Sequence, residues 1–412
     1  MKKILIAVFI LLSITSILNS QTQKSYIEPV GIIKNIPDST LLEIVQRQTF
    51  RYFWHYAHPK SGLARERSNT INGEYFWDFA DEAYSTPNLS KSKLDTNVCA
   101  IGGTGFGILA TIVAVNRNWI DREVAVGRLI KMVDFLIKAD RFHGIFPHWI
   151  NGETGKTIPF GYLDDGADIV ETSYLMMGLL SAKEYFNKDS QTEKYLRNRI
   201  QQIWENANWN WHTNNSNQWL YWHWSPNNDW DMNFPIRGWN ECLITYIIAA
   251  SSPTHPISWQ VYNNCWINSA SYFNGKTFYG YKLPLGFDYG GPLFFTHYTF
   301  MGIDPRGLKD FSTDYWMQNL NHVLINRQHC IENPKKYKGY SEDCWGLTAS
   351  DSYEGYVAHS PTEDFGVISP TAALSSFPYT PDYSMKALKY FYYNLGEKIW
   401  SEYGFVDAFS IE

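Results

Sequence analysis

Along most of this chain apolar residues return at three- and four-residue intervals, the spacing of helices with one buried face. Leu42, Val45, Phe50, Phe53 and Ala57 follow one such face, and Thr40 with Glu43 predicts a capping box at its start. Residues 98–116 are apolar almost throughout, and Gly102, Gly103, Gly105 and Gly107 within them predict close backbone approach to a neighbour. Asp121 is placed to cap a helix carrying Val126, Ile130, Val133 and Ile137. Residues 168–186 and 191–206 predict a helix pair, and 238–250 a short helix apolar on most sides. Trp316, Leu320, Val323, Leu324 and Arg327 form a stripe, and Asp382 precedes Met385, Leu388, Tyr392 and Leu395 on one face. With shorter candidates at 256–266, 292–300 and 367–377, eleven helices are expected.

Between the helices run long segments rich in Gly, Pro, Asn and aromatic residues, at 58–97, 141–167, 207–237, 274–294 and 337–366. Segments of this length are uncommon in compact domains unless they carry function. Residues 219–224 predict a short strand. There is no alternation of strands and helices, no repeat of fixed period and no low-complexity linker. The expectation is one all-α domain over residues 21–412, a helical shell presenting aromatic loops at one end.

Composition sharpens this picture. The chain has 412 residues, of which 17% are aromatic and only 18% charged, with a net charge of −6. No basic run is present, which counts against nucleic acid as a partner. Low charge and abundant rings suit a neutral, ring-shaped ligand, and an oligo- or polysaccharide is the expected partner. Lys2 and Lys3 precede the apolar run from Ile4 to Ile17, which reads as a cleaved secretory leader over residues 1–20. A periplasmic or secreted protein without a membrane anchor, acting as a monomer, is expected. The cysteines (Cys99, Cys242, Cys265, Cys330 and Cys344) are odd in number and lack metal-ligand spacing, with Cys330 and Cys344 the nearest pair.

The richest chemistry lies in 161–174, where Asp164, Asp168 and Glu171 are spaced to share one helix face. Glu241 precedes a second apolar run. Two acids on separate helix starts are what glycoside hydrolysis requires, one to protonate the leaving oxygen and one to activate water. Acidic residues also favour first helical turns for their dipole alone, so spacing by itself does not decide. A helix start lowers a carboxyl pKa, so whichever group is the acid must be desolvated or face a like charge. The sequence lacks the spacing of a calcium loop, a nucleophile elbow and a phosphate loop. The candidate substrate-binding residues are Trp149, Trp224, Arg237, Trp239, Asp288, Tyr289, His297, Trp345 and Asp351, set in loops where rings and polar groups alternate. No metal and no cofactor is expected.

The stretches DDGADIVETSYLMMGLL, RGWNECLITYIIAASSPTHP, GFDYGGPLFFTHYTFMGIDPRG, GLTASD and GVISPTAALSSFPYTP resemble the bacterial glucoamylase-like family of secreted glycoside hydrolases. That family includes β-1,2-glucanases and enzymes releasing sophorose from β-1,2-glucooligosaccharides. The resemblance runs from about residue 40 to the end of the sequence. It implies an (α/α)6 toroid, a cleft at one end and an inverting, metal-free mechanism. It places the family's acidic site on Asp164, Asp168, Glu171 and Glu241, with Glu241 as general acid and the other three activating water and contacting the sugar. A toroid of this kind closes with twelve helices, so eleven lead to the expectation of a chain short of its last helix. Two other classes fit the aromatic loops: a non-catalytic glycan-binding protein, and an (α/α)6 polysaccharide lyase. The four acids favour the hydrolase, since lyases want basic groups around a uronic acid.

Overall fold

The computed structural model describes residues 25–68, 96–353 and 355–412; the expected leader lies outside them. The protein is helix-rich, and its helices fall into an inner and an outer set distinguished by sequence. Helices α2 (Ile101–Asn116), α4 (Ile169–Tyr185) and α6 (Leu243–Ser251) are apolar around most of their circumference. They pack on one another, with α4 between α2 and α6. Helices α3 (Arg122–Leu136) and α5 (Gln191–Asn206) are amphipathic and pair with each other outside.

Among the described helices, α2 and α4 make the most extensive crossing, and glycine lets them approach. A Cβ on Gly105 would run into the backbone carbonyl of Tyr174, and one on Gly178 into that of Gly105. Of the glycines read from the sequence as contact points, Gly105 is where two main chains touch, whereas Gly102 and Gly107 make room for the side chains of Glu171 and Phe53.

Local chemistry sets the helix starts, and in several places it differs from the expectation. Helix α1 (Asp38–Trp54) begins earlier than the capping box implied, after Pro37. Thr40 and Glu43 lie inside it, and Glu43 accepts a hydrogen bond from the Trp119 indole instead, 2.5 Å away. Residues 98–100 form strand β1 rather than helix, because they pair with β2 (Trp149–Asn151), which also pairs with β3 (Thr157–Ile158). Helix α6 starts at Leu243, not at 238, because the Asn240 side chain accepts from the Cys242 N–H and holds 240–242 as a turn. The short strand expected within 219–224 exists as β5 (His223–Trp224), paired with β4 (Ala167–Asp168).

The C-terminal half contributes α7 (Tyr315–Glu332), α8 (Pro370–Ser375) and α9 (Pro381–Lys389). Asp382 sits in the first turn of α9, which starts on Pro381 and runs on into a wider π turn over Tyr390–Asn394. Here α1 meets α9 through Leu41, Val45, Leu388 and Tyr392. The hairpin β6–β7 (Trp400–Ser401, Gly404–Phe405) fastens the junction, since Gln48 donates to the Ser401 carbonyl and Arg51 to Glu402. All five cysteines are buried. Among the described residues, no helix is long and apolar enough to cross a membrane.

Candidate functional site

The first turn of α4 carries the centre of the site. Asp168 is its N-cap, accepting from the N–H groups of Val170 and Glu171, each at 2.9 Å. Strand pairing of β4 with β5 sets His223 opposite Asp168. The β1–β2 sheet delivers His148, whose carbonyl accepts from Ile101 at the start of α2. The His148 ring reaches Asp168 with Nδ1–Oδ2 at 2.9 Å and stacks against Phe160, with centroids 4.2 Å apart.

Asp164 comes to the cluster by a route the spacing did not reveal. It does not share a helix face with Asp168 and Glu171, because the helix begins only at Ile169. A turn over 161–164, closed by hydrogen bonds between Gly161 and Asp164, places it instead. Its Oδ1 lies 3.2 Å from His223 Nδ1 and its Oδ2 4.0 Å from His148 Nδ1. Two imidazoles and two carboxylates thus alternate around a buried square. The ligand atoms of His148, Asp164 and Asp168 all lie within 4.8 Å of one another. Of the four edges of the square, the 2.9 Å contact of His148 with Asp168 is a hydrogen bond, whereas Asp164 Oδ1 and His223 Nδ1 are buried without one and face each other as an ion-pair contact.

Glu171 projects from the same helical turn toward α2, where the Gly102 N–H donates to its Oε2 at 2.7 Å. A Cβ on Gly102 would stand 2.5 Å from that oxygen, so only glycine admits the carboxylate. Glu241 is held in the turn before α6 by its own carbonyl, which accepts from Thr299 Oγ1 at 2.9 Å. Tyr174, Phe106 and Tyr298 form a triangle of rings nearby, with centroids 5.0 to 5.6 Å apart.

This setting separates the carboxyls by charge. Burial works to raise Asp168, but the His148 hydrogen bond, the His223 and His148 charges and the Glu171 N–H outweigh it and hold the group below its usual range. Burial lifts Glu171 to about 7, with Asp168 adding to the rise and His148 opposing it. Burial and the Glu171 charge lift Glu241 to about 7. His148, despite burial, is raised to about 10 by Glu171, by its bond to Asp168 and by Asp164. Carboxyls pushed apart in this way are how one site provides both an acid and a base.

A second group faces the acids from the other half of the chain, and sequence reasoning missed most of it. Arg67 pairs with Asp351 at 2.9 Å, and the Asp351 N–H donates to Asp407 at 3.2 Å. Glu66 accepts from the Trp149 indole at 3.2 Å. Asp407 is exposed, yet burial by surrounding protein and the Asp351 charge raise it to about 6. Tyr356 is 64% exposed and lies within the fields of Asp407, Glu241, Glu66 and Asp351. Accessible side chains with strongly shifted acidities line a recess rather than an open surface. Nothing in sequence spacing joins Glu66 and Asp407, which lie at opposite ends of the chain.

The other expected contacts divide. Asp351 belongs to the recess, and Trp149 is buried beside it, its ring set edge-on to His148. Trp239 and Trp345 are 1% and 0% exposed, so they are core residues, because a ring without an open face cannot stack on a sugar. His297 is buried, donates to or accepts from Ser376, and is kept neutral by that burial. Trp224 points to the strand face opposite His223 and packs against Phe142, His143 and Trp211. Asp288 is paired with Lys276 at the surface, and Tyr289 packs on Phe278. Arg237 is exposed.

A helix-rich fold with a recessed set of carboxyls of unequal acidity defines the class of protein. Residues 233–412 match the family described as "Glycoamylase: Putative glucoamylase". The chain is 52% identical to a solved "putative glucoamylase" from Bacteroides uniformis, covering 92% of this chain and 87% of that one with a TM-score of 0.84. It is 50% identical to the endo-β-1,2-glucanase of Chitinophaga pinensis, solved with sophorotriose and glucose, covering 92% and 87% with a TM-score of 0.83. A curated relative from Parabacteroides distasonis, an exo β-1,2-glucooligosaccharide sophorohydrolase (non-reducing end), is 42% identical over 395 residues, which are 91% of this chain and 52% of the relative. The chain thus spans about half the length of that curated relative. The chain belongs to the glycoamylase family, as its sequence motifs implied.

Proposed function

We propose that this protein is a glycoside hydrolase that cleaves β-1,2-linked glucan or its oligosaccharides with inversion. The carrying observation is that Glu241, partly accessible beside Tyr174 and Tyr298, is held near a pKa of 7 while Asp168 stays ionised. At neutral pH and below it carries the proton that the departing sugar oxygen needs. The two named β-1,2-glucan enzymes among its relatives support the linkage.

Asp168 is fully buried and spends its oxygens on two N–H groups and His148, so it organises the site without touching water. Asp407 is accessible, carries no ion pair among the described residues and is raised to about 6, below Glu241 at about 7, so we assign water activation to it. Glu171, raised like Glu241, binds the sugar as a neutral donor. An (α/α)6 toroid is the arrangement that suits inner helices packed side by side with an amphipathic pair outside them, and α1 in contact with α9. A signal-directed passage out of the cytoplasm fits such a substrate.

The pH dependence tests the pairing. Asp407 must be ionised and Glu241 protonated, so kcat/KM on β-1,2-glucan rises through about 6 and falls through about 7. Asp407→Asn is expected to cost two or more orders of magnitude, in the range of lost general base catalysis. A profile flat from 5 to 8, or a near-wild-type Asp407→Asn enzyme, contradicts the assignment.

A further inference from the structure

The most heavily coupled group outside the reacting pair is a histidine. His148 lies between Asp168 at 2.9 Å and Asp164 at 4.0 Å, and Glu171 lies within its field. His223 flanks the same carboxylates from β5 at 3.2 and 3.9 Å. These are the charged groups facing the ring, and three of the four are acids. Its other surroundings are rings: Phe160 stacks on it and Trp149 meets it edge-on. The Trp149 indole is in turn anchored on Glu66. The imidazole is therefore fixed in plane and azimuth, with its Nδ1 aimed at Asp168 and little freedom to turn away.

We propose that His148 is a positioning residue which, as a resident imidazolium, serves as the counter-ion of the acid cluster. It holds Asp168 as the ionised cap of α4 and so fixes the direction in which Glu171 leaves that helix. The inference rests on the hydrolase reading for its activity arm. The physical reasoning is short. Three carboxyls this close cannot all ionise in a buried site without a cation, and a fixed one decides which of them gives up its proton. Asp168 touches the cation directly, so it ionises. Its Oδ1 then accepts the N–H groups of residues 170 and 171, which orients the first helical turn. Glu171, without direct contact to His148, is left to take up the proton and to accept the Gly102 N–H with its other oxygen. A neutral His148 protonated on Nδ1 would keep the hydrogen bond to Asp168 Oδ2 but lose the charge that holds the cap ionised, and would let the proton migrate to the cap.

The substitution His148→Asn separates charge from hydrogen bonding, because the Asn amide nitrogen takes roughly the place of Nδ1. In His148→Asn, kcat on β-1,2-glucan is expected to fall at least tenfold with KM within about twofold, and the loss to deepen toward low pH as Asp168 takes up a proton, since losing an opposite charge at this range raises a carboxyl by about 1–3 pH units. Rescue of both kcat and the wild-type profile by Asn would show that a neutral donor suffices and would overturn the proposal. Nitrogen-15 NMR of histidine-labelled wild-type protein gives a reading free of activity and of mutant folding. One ring, assigned by its absence in His148→Asn or by its contact with the Phe160 ring, should keep both nitrogens protonated to pH 8. If His148 is neutral at pH 8, the proposal fails whatever the enzyme hydrolyses. If the ring is charged but wild-type protein releases no sugar, the hydrolase reading fails instead.

Discussion

Replacing Glu241 by Gln is expected to abolish turnover almost completely, lowering kcat on β-1,2-glucan by about 10²–10⁴-fold, the range set by loss of general acid catalysis. The shape and hydrogen-bonding capacity of the side chain survive, and so do the Thr299 bond and the Tyr174 contact to the Glu241 carbonyl that fix its backbone. Binding of the glucan, measured by calorimetry, should therefore change little. In the variant the descending limb of the pH profile near 7 should lose the contribution of Glu241 and keep only that of Glu171. A Glu241→Gln enzyme with more than about a tenth of wild-type kcat would remove the general acid from the mechanism. The recess itself explains the size of the effect. Burial and the Glu171 charge raise the pKa of Glu241 into the working range, and an amide in the same place offers no proton to the departing oxygen.

Gly105→Val is expected to have the largest effect on folding. Its Cβ would occupy the position of the Tyr174 carbonyl, which is main chain and has no rotamer to yield. Forcing α2 away from α4 also opens the reciprocal contact at Gly178. Overpacking in cores costs about 1–3 kcal/mol when side chains can move, and more is expected where backbone meets backbone. The melting temperature should drop by several degrees, or the soluble yield collapse. Gly127→Val serves as the control, since nothing lies within 4 Å of a Cβ there. Equal melting temperatures for the two variants would contradict the account of the α2–α4 crossing. Because Glu171 hangs between these helices on the Gly102 N–H, the same crossing also sets the depth of the site.

How much of this was legible in the sequence follows from the range of the interactions. The start of α4 was readable to within a residue because a helix start is a local event, although Asp168 was read as part of the helix and is its N-cap. The glycine approach was readable because the need for a missing Cβ leaves a mark in one segment. Asp164 was chosen correctly as a neighbour of Asp168 but for the wrong reason: a turn and two histidines bring it there, not helical periodicity. His148 and His223 reach the cluster by strand pairing across long loops, and no local pattern announces that. Asp407 and Glu66 meet only because the chain folds its two ends together. Trp239 and Trp345 read as sugar platforms because loop-like surroundings suggested exposure, whereas tertiary packing encloses them. A tryptophan's neighbours in sequence do not report which of its faces is covered.

The most direct measurement of the central claim is to incubate the purified protein with linear β-1,2-glucan and follow the products by proton NMR from the first minutes. Release of β-1,2-linked oligosaccharides whose new reducing ends appear first as the α-anomer is the predicted result, for an inverting acid–base pair. Glucan left intact by protein that binds it, new ends appearing first as the β-anomer, or an unsaturated product absorbing in the ultraviolet would each contradict it.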